Sequence, residues 1–225
     1  MLDCILFDAL DVVLRCLCDN LGRAWWDVDG GVFGAAGEAG AQLTGCVCAA
    51  LLSIFAHVDG SWLVTGGLGM LGLMMAGWLR EYGAAHEWLV SRSGRARDAT
   101  STAASAGRCM VQLARCDVSQ ASEARWVVCA STHPPTTGVL HAGGVLRDAM
   151  LLNQSASRTM AVHAPKVCGA PHLRASLAAH SVDTSVLFSS IASLLGNGGQ
   201  ANYVSANAAL DSFAHQIHGA AWLVN

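Results

Sequence analysis

The run TGGLGMLG at residues 65–72 constrains the fold more than any other segment of the chain. It follows the short apolar stretch SWLV and opens residues 70–82, which are apolar at helical spacing. Strand, glycine turn and helix in that order form the turn that takes a dinucleotide. Gly66 and Gly67 permit the tight turn, Gly69 lets backbone N–H groups approach a pyrophosphate, and Gly72 permits close packing of the helix. Thr65, Leu68 and Leu71 complete the segment. The helix N-terminus then presents partial positive charge to phosphate.

The pattern repeats downstream. HEWLVS (86–91), CMVQLARCDVS (109–119), GVLHAGG (138–144) and DTSVLFSS (183–190) read as further strands. Residues 93–107 are rich in Ser, Ala and Arg and read as loop or poor helix. Residues 155–180 suit a long helix, kinked or jointed at Pro165 and Pro171. Residues 200–218 suit a final helix, and AAWLV begins a sixth strand. Strands joined by helical crossovers predict an α/β fold, a Rossmann-like doubly wound parallel sheet in the order 3-2-1-4-5 with the sixth strand barely begun. Residues 1–58 read as a short helical appendage with a Gly/Ala-rich loop, and a turn signal at 57–60 marks the boundary of a domain over 59–225.

Composition narrows the function. Apolar residues make up 53% and charged residues 13%, enough for a large core. The net charge is −3 and the arginines are scattered, so no nucleic-acid partner is expected. The nine cysteines include the Cys-x-Cys pairs Cys16/Cys18 and Cys46/Cys48 but no Cys-x-x-Cys. Neither a metal site nor a disulfide framework is expected, only free thiols in a reducing compartment. The first residues lack a basic region and carry Asp3, Asp8 and Asp11, against a secretory signal and for a cytoplasmic location. Residues 39–58 are free of charge, but Gln42, Thr44, Ser53 and His57 interrupt them. A buried or interface helix is expected there rather than a membrane span.

The second strand selects the cofactor. An NAD site usually ends that strand with an acid that binds the ribose 2′-OH. Here it ends Ser91-Arg92-Ser93-Gly94-Arg95. Arg92 can fork onto a 2′-phosphate, with Ser91 or Ser93 donating hydrogen bonds, and this predicts NADPH. Asp117 and Val118 are placed to flank adenine. His141, Ala142, Gly143 and Gly144 are placed to pass near the nicotinamide ribose.

Reduction of a ketone needs a hydride and then a proton for the developing alkoxide. A tyrosine supplies that proton when a nearby ammonium favours its phenolate, and a serine hydroxyl can hold the carbonyl oxygen. The chain has two tyrosines and a single lysine against twelve arginines. That lysine, Lys166, lies in the segment before the fifth strand. Ser190 ends the strand, Tyr203 follows on the last helix, and Asn207 stands one helical turn further on the same face.

With these residues in view, the chain resembles the ketoreductase domains of type I polyketide synthases and animal-type fatty acid synthases, within the short-chain dehydrogenase/reductase superfamily. Short-chain dehydrogenases usually carry Tyr-x-x-x-Lys. This chain has Tyr-x-x-x-Asn with the lysine upstream, as those ketoreductase domains do. The runs SWLVTGGLGMLG, WLVSRSG, GVLHAGGVLRDAM, APKVCGA and VLFSSIASLLGNGGQANYVSANAALDSF carry the likeness over residues 59–218. The resemblance implies a catalytic set of Lys166, Ser190, Tyr203 and Asn207. The implied roles are an ammonium beside the tyrosine, a carbonyl-oxygen donor, the acid, and an orienting amide. It further implies NADPH-dependent reduction of a β-ketoacyl thioester held on the phosphopantetheine arm of an acyl carrier protein, beside neighbouring synthase domains.

Leu146-Arg147-Asp148 resembles a Leu-Asp-Asp motif of domains that make a D-configured β-hydroxyl. The position of a tryptophan marking the opposite outcome is Leu195, so a D-hydroxy product is expected. Gln200 belongs to the same substrate-facing set. Because relatives continue past the tyrosine helix, residues 59–225 are expected to be a catalytic domain incomplete at its C-terminus. Residues 1–58 are then a remnant of a structural subdomain. The alternative is a truncated, inactive NADPH-binding or structural remnant of a synthase.

Overall fold

All five residues of SWLVT are buried, the pattern of a parallel strand covered on both faces. In this computed structural model, which describes residues 58–95, 109–131, 134–217 and 221–223, that run is strand β1, Ser61–Thr65. It is followed by β2 (His86–Ser91), β3 (Met110–Arg115), β4 (Thr136–His141), β5 (Thr184–Phe188) and β6 (Ala221–Leu223). The strands form one sheet in the order 3-2-1-4-5-6, every pair parallel, as the crossover pattern predicts. The sixth strand pairs with the fifth from Val186↔Ala221 to Phe188↔Leu223.

Alternate side chains of β1 feed two cores. On one face Trp62 and Val64 meet Met75, Ala76, Trp78 and Leu79 of helix α1 (Met70–Glu81). On the other, Leu63 meets Val127 and Val128 of α2 (Ala121–Ala130) and Leu173 and Leu177 of a later helix, α4 (Gly169–Leu177). Each fully buried leucine, such as Leu63 or Leu79, contributes about 1.5–3 kcal/mol. The Trp62 indole lies across β4 at Gly138, where a Cβ would come within 2.6 Å of the ring's Cη2. Its Nε1 donates to the Val58 carbonyl at 3.1 Å and pins the ring in place.

Pro165 marks a joint, as expected, and Pro171 does not. The helix expected over 155–180 is three pieces: α3 (Ala156–His163), a π-helical turn (Ala164–Cys168) and α4. Pro165 has no N–H to donate and its ring clashes with the preceding turn, so regular α-helix cannot pass through it. The chain widens instead, and the Gly169 N–H reaches back five residues to the Ala164 carbonyl. Pro171 marks no joint: it is the third residue of α4, which runs unbroken from Gly169 to Leu177. Helix α2 was not anticipated. After β5 come α5 (Ala192–Leu195) and α6 (Ala201–Gln216), and Leu210 and Ala214 of α6 pack over Leu187.

The expected appendage over 1–58, the apolar run 39–58 and both Cys-x-Cys pairs lie outside the described residues but for Val58, as does most of the loop over 93–107. Among the described residues no helix is long and apolar enough to cross a membrane. The chain leaves β1 towards β2 on one side and later returns to pair β4 on the other. That reversal opens a crevice at the carboxyl ends of β1 and β4.

Candidate active site

The glycine turn sits in this crevice. Gly66 has φ +68°, a conformation side chains rarely adopt, and a Cβ there would lie 2.6 Å from the Ala142 carbonyl oxygen. A Cβ on Gly72 would overlap the Gly66 carbonyl and lie 2.6 Å from the Gly67 Cα. The first residues of α1 therefore rest directly on the turn. Helix α1 has no side-chain cap at its N-terminus and no acid in its first turn, an arrangement that suits an anion there. Met70 points into solvent, 89% exposed, and does not crowd the turn.

A cleft of about 560 Å³ runs from the turn past the ends of β2 and β3 to the β4 loop. Thr65, Gly66, Leu68 and Gly69 form one wall, Ser91, Arg92 and Ser93 the far end, Asp117 and Val118 the side, and Ala142 to Gly144 the near end. This groups most of the expected cofactor residues. The glycine cradle, the uncapped helix and the arginine end fit a dinucleotide carrying an extra phosphate. Arg95 lines the same end and was missed, although the Ser91–Arg95 run displayed it. Ser91 Oγ accepts the Gly94 N–H at 3.1 Å, so that serine shapes the loop carrying Arg92.

Gly67 packs against Val64 and Leu89, and Gly72 lies beneath the turn, the tight-turn and packing places expected of them. Two expected cofactor contacts are corrected. The Leu71 side chain packs into the core with α1. His141 is fully buried, its ring held between Thr65 Oγ1 at 2.6 Å and the Pro165 carbonyl at 3.0 Å, so it does not face a ribose. The strand-end pattern HAGG places the backbone correctly, but inward alternation turns the first side chain into the core.

Next to this cleft lie the residues expected to act on substrate. The π-helical turn presents Lys166, which is 4% exposed. Its Nζ donates to the Phe188 carbonyl at 2.6 Å, at the end of β5 and two residues before Ser190. Its Cε stands 3.8 Å from where a Cβ on Gly144 would be, which ties it to the β4 loop. Burial pushes the Lys166 ammonium down from 10.5 to about 8, with Asp211 of α6 pulling the other way. Ser190 is buried, and its Oγ accepts the Ala192 N–H at 3.2 Å, leaving the hydroxyl proton to donate elsewhere. Tyr203 is half-buried in the first turn of α6, the helix that packs against the Lys166 turn. Asn207 is wholly buried, and its Nδ2 donates to the Tyr203 carbonyl at 2.8 Å while Oδ1 stays unpartnered.

The mouth is tied down by contacts that single residues do not advertise. Asn202 donates to the Arg147 carbonyl at 2.9 Å and accepts the Tyr203 N–H at 2.8 Å, which joins the β4 loop to the start of α6. Gln200 Nε2 donates to Asp148 Oδ2 at 3.0 Å, so two of the expected substrate-facing residues pair with each other. Leu146 and Leu195 are both exposed there. Asn202 and Asp211 were missed; Tyr203, Asn207 and Asp211 share the i, i+4, i+8 stripe that would have revealed the latter. A larger cavity of about 650 Å³ lies between α4 and the end of α6, and none of the tetrad or glycine-turn residues line it. Site chemistry, not size, therefore marks the smaller cleft as the candidate site.

Comparison with known proteins shows the family of the chain. Residues 60–222 match the family model described as the KR domain. A highly reducing polyketide synthase of a Fusarium species is 38% identical over 164 residues, covering 72% of this chain and 6% of the relative. A reducing polyketide synthase of Cochliobolus heterostrophus is 40% identical over 161 residues, covering 69% and 6%. Among solved structures, one of A-type ketoreductases from a modular polyketide synthase superposes with a TM-score of 0.68 at 34% identity, covering 74% of this chain and 37% of that one. The chain thus spans about 6% of the length of the curated relatives it matches.

Proposed function

Since the chain belongs to the KR-domain family, the ketoreductases of polyketide synthases, we propose that it reduces a β-ketoacyl thioester to the β-hydroxyacyl thioester with NADPH. The observation that carries this reading is the buried Lys166, held at the end of β5 beside Ser190 and packed under the helix of Tyr203 and Asn207, at the cleft of the glycine turn. When bound, NADPH would supply hydride to the carbonyl carbon; Gly66, Gly69 and the α1 N-terminus would hold its pyrophosphate, and Arg92 with Arg95 its 2′-phosphate. Ser190 donates its hydroxyl proton to the substrate carbonyl oxygen and fixes it at the site. Tyr203 gives its phenolic proton to the alkoxide as it forms. The Lys166 ammonium stabilises the phenolate left behind, and Asn207 holds the backbone of Tyr203.

The substrate arrives on the phosphopantetheine arm of an acyl carrier protein, beside neighbouring synthase domains. The retained Asp148, anchored to Gln200 at the mouth, supports a D-configured product. The test is NADPH oxidation by the full chain with a β-ketoacyl thioester analogue, with the product resolved by chiral chromatography. Steady turnover is expected, and Tyr203→Phe is expected to lower kcat by about 10²–10⁴-fold while NADPH still binds. A folded chain that binds NADPH without turning over overturns the reading in favour of a non-catalytic remnant.

A further inference from the structure

We propose that His141 is a positioning residue: its buried imidazole bridges the glycine turn and the π-helical turn, and so sets where Lys166 stands. The neighbouring polar groups fix the direction of both hydrogen bonds. The Pro165 carbonyl can only accept, so His141 Nε2 carries the proton and donates at 3.0 Å. Nδ1 is then the acceptor, and Thr65 Oγ1 donates to it at 2.6 Å. Thr65 ends β1 at the cofactor cleft, and Pro165 immediately precedes Lys166. The ring is 0% exposed, and its Cε1 lies 3.6 Å from where a Cβ on Gly169 would be, so the far end of the π-helical turn closes on it too.

A π-helical turn has poorer internal hydrogen bonding than an α-helix and needs outside contacts to hold one shape. Here the Lys166 side chain is tied to β5 through Phe188, and the backbone beside it is tied to β1 and β4 through His141. Burial, then the Lys166 charge, holds the imidazole neutral, which keeps the donor and acceptor roles constant. One end of this bridge touches the cofactor cleft and the other the general-acid machinery. Its geometry therefore aligns the two halves of the site.

This inference rests on the reductase reading, and the experiment separates them. Lys166 is the only lysine of the chain, so ¹³Cε-lysine labelling gives one side-chain signal whose pH titration reads it without turnover. That titration, NADPH affinity and kcat are measured on the full chain for wild type, His141→Asn, His141→Gln and Thr65→Val. Asparagine keeps the reach of Nδ1 and loses that of Nε2, whereas glutamine keeps the reach to Pro165. In His141→Asn the Lys166 titration is expected to rise by about half a pH unit or more as the turn relaxes towards solvent. Its kcat is expected to fall on the order of tenfold or more with NADPH affinity held. His141→Gln is expected to restore both, and Thr65→Val to move both in the direction of His141→Asn.

Wild-type Lys166 titration and kcat in folded His141→Asn overturn the proposal, as does a glutamine variant no better than the asparagine one. If His141→Asn does not fold, Thr65→Val decides by the same criterion. Absence of turnover in the wild type overturns the reductase reading, and the Lys166 signal then decides the role of His141 alone.

Discussion

At the scale of single residues, the proposed chemistry turns on one buried ammonium. Lys166 is protonated below about pH 8 and loses its proton as pH rises through that value. In the unfolded chain a lysine keeps its proton to about 10.4. Between the two values the unfolded state therefore binds more protons, and this group makes the fold more stable with rising pH, not less. Activity and stability consequently part company. kcat/KM for thioester reduction is expected to fall about tenfold per unit above pH 8, while thermal unfolding shows no matching loss. A pH–rate profile read beside a melting series checks this, and Lys166→Met should flatten the limb at a much lower rate. The residues of this centre were legible as types and spacings: one lysine among arginines, and Tyr-x-x-x-Asn. Asp211 and the two-sided grip on His141 were not, because a hydrogen bond across elements leaves no mark on local sequence.

At the scale of elements, apolar period and glycine placement revealed the six strands of the described residues, α1 and the last helix. The joint at Pro165 was marked in the sequence, but not the π-helical form that it takes. Residues 155–180 carry continuous helix-forming character, and only the ring of Pro165 converts that run into α3, a π-helical turn and α4. Helix α2 escaped because ASEARWVVCA mixes polar residues with β-branched ones, and its apolar face shows only against α4. Packing between elements sets the tolerance of the sheet. The Trp62 ring fills the place of a side chain at Gly138, so Gly138→Ala forces the buried indole off its rest position and its bond to Val58. A loss of about 1–3 kcal/mol is expected, read by urea denaturation with tryptophan fluorescence. A variant as stable as wild type would show that the ring has room to turn.

At the scale of the whole molecule, the cleft is assembled from β1, β2, β3 and β4 together, with the Tyr203 helix beside it. A ligand that spans such a cleft stabilises the entire fold, by about 2.7 kcal/mol when present at 100 times its Kd. NADPH is expected to raise the melting temperature well above the rise with NADH, and Arg92→Ala with Arg95→Ala should erase that difference. Equal shifts with both cofactors in the unaltered chain would remove the arginines from cofactor choice. The parallel sheet also dictates how the molecule comes into being. Strand β1 pairs with β4 across a stretch of 76 residues, from Thr65 to His141. At a synthesis rate of about 5–20 residues per second, β1 waits several seconds on the ribosome for that neighbour. Its pairing with β2 can close early, but the central pairing demands a long loop closure and is intrinsically slow. The candidate cleft is thus among the last parts of the β1–β4 region to take shape, and until then the apolar flank of β1 stands open to aggregation or to a chaperone.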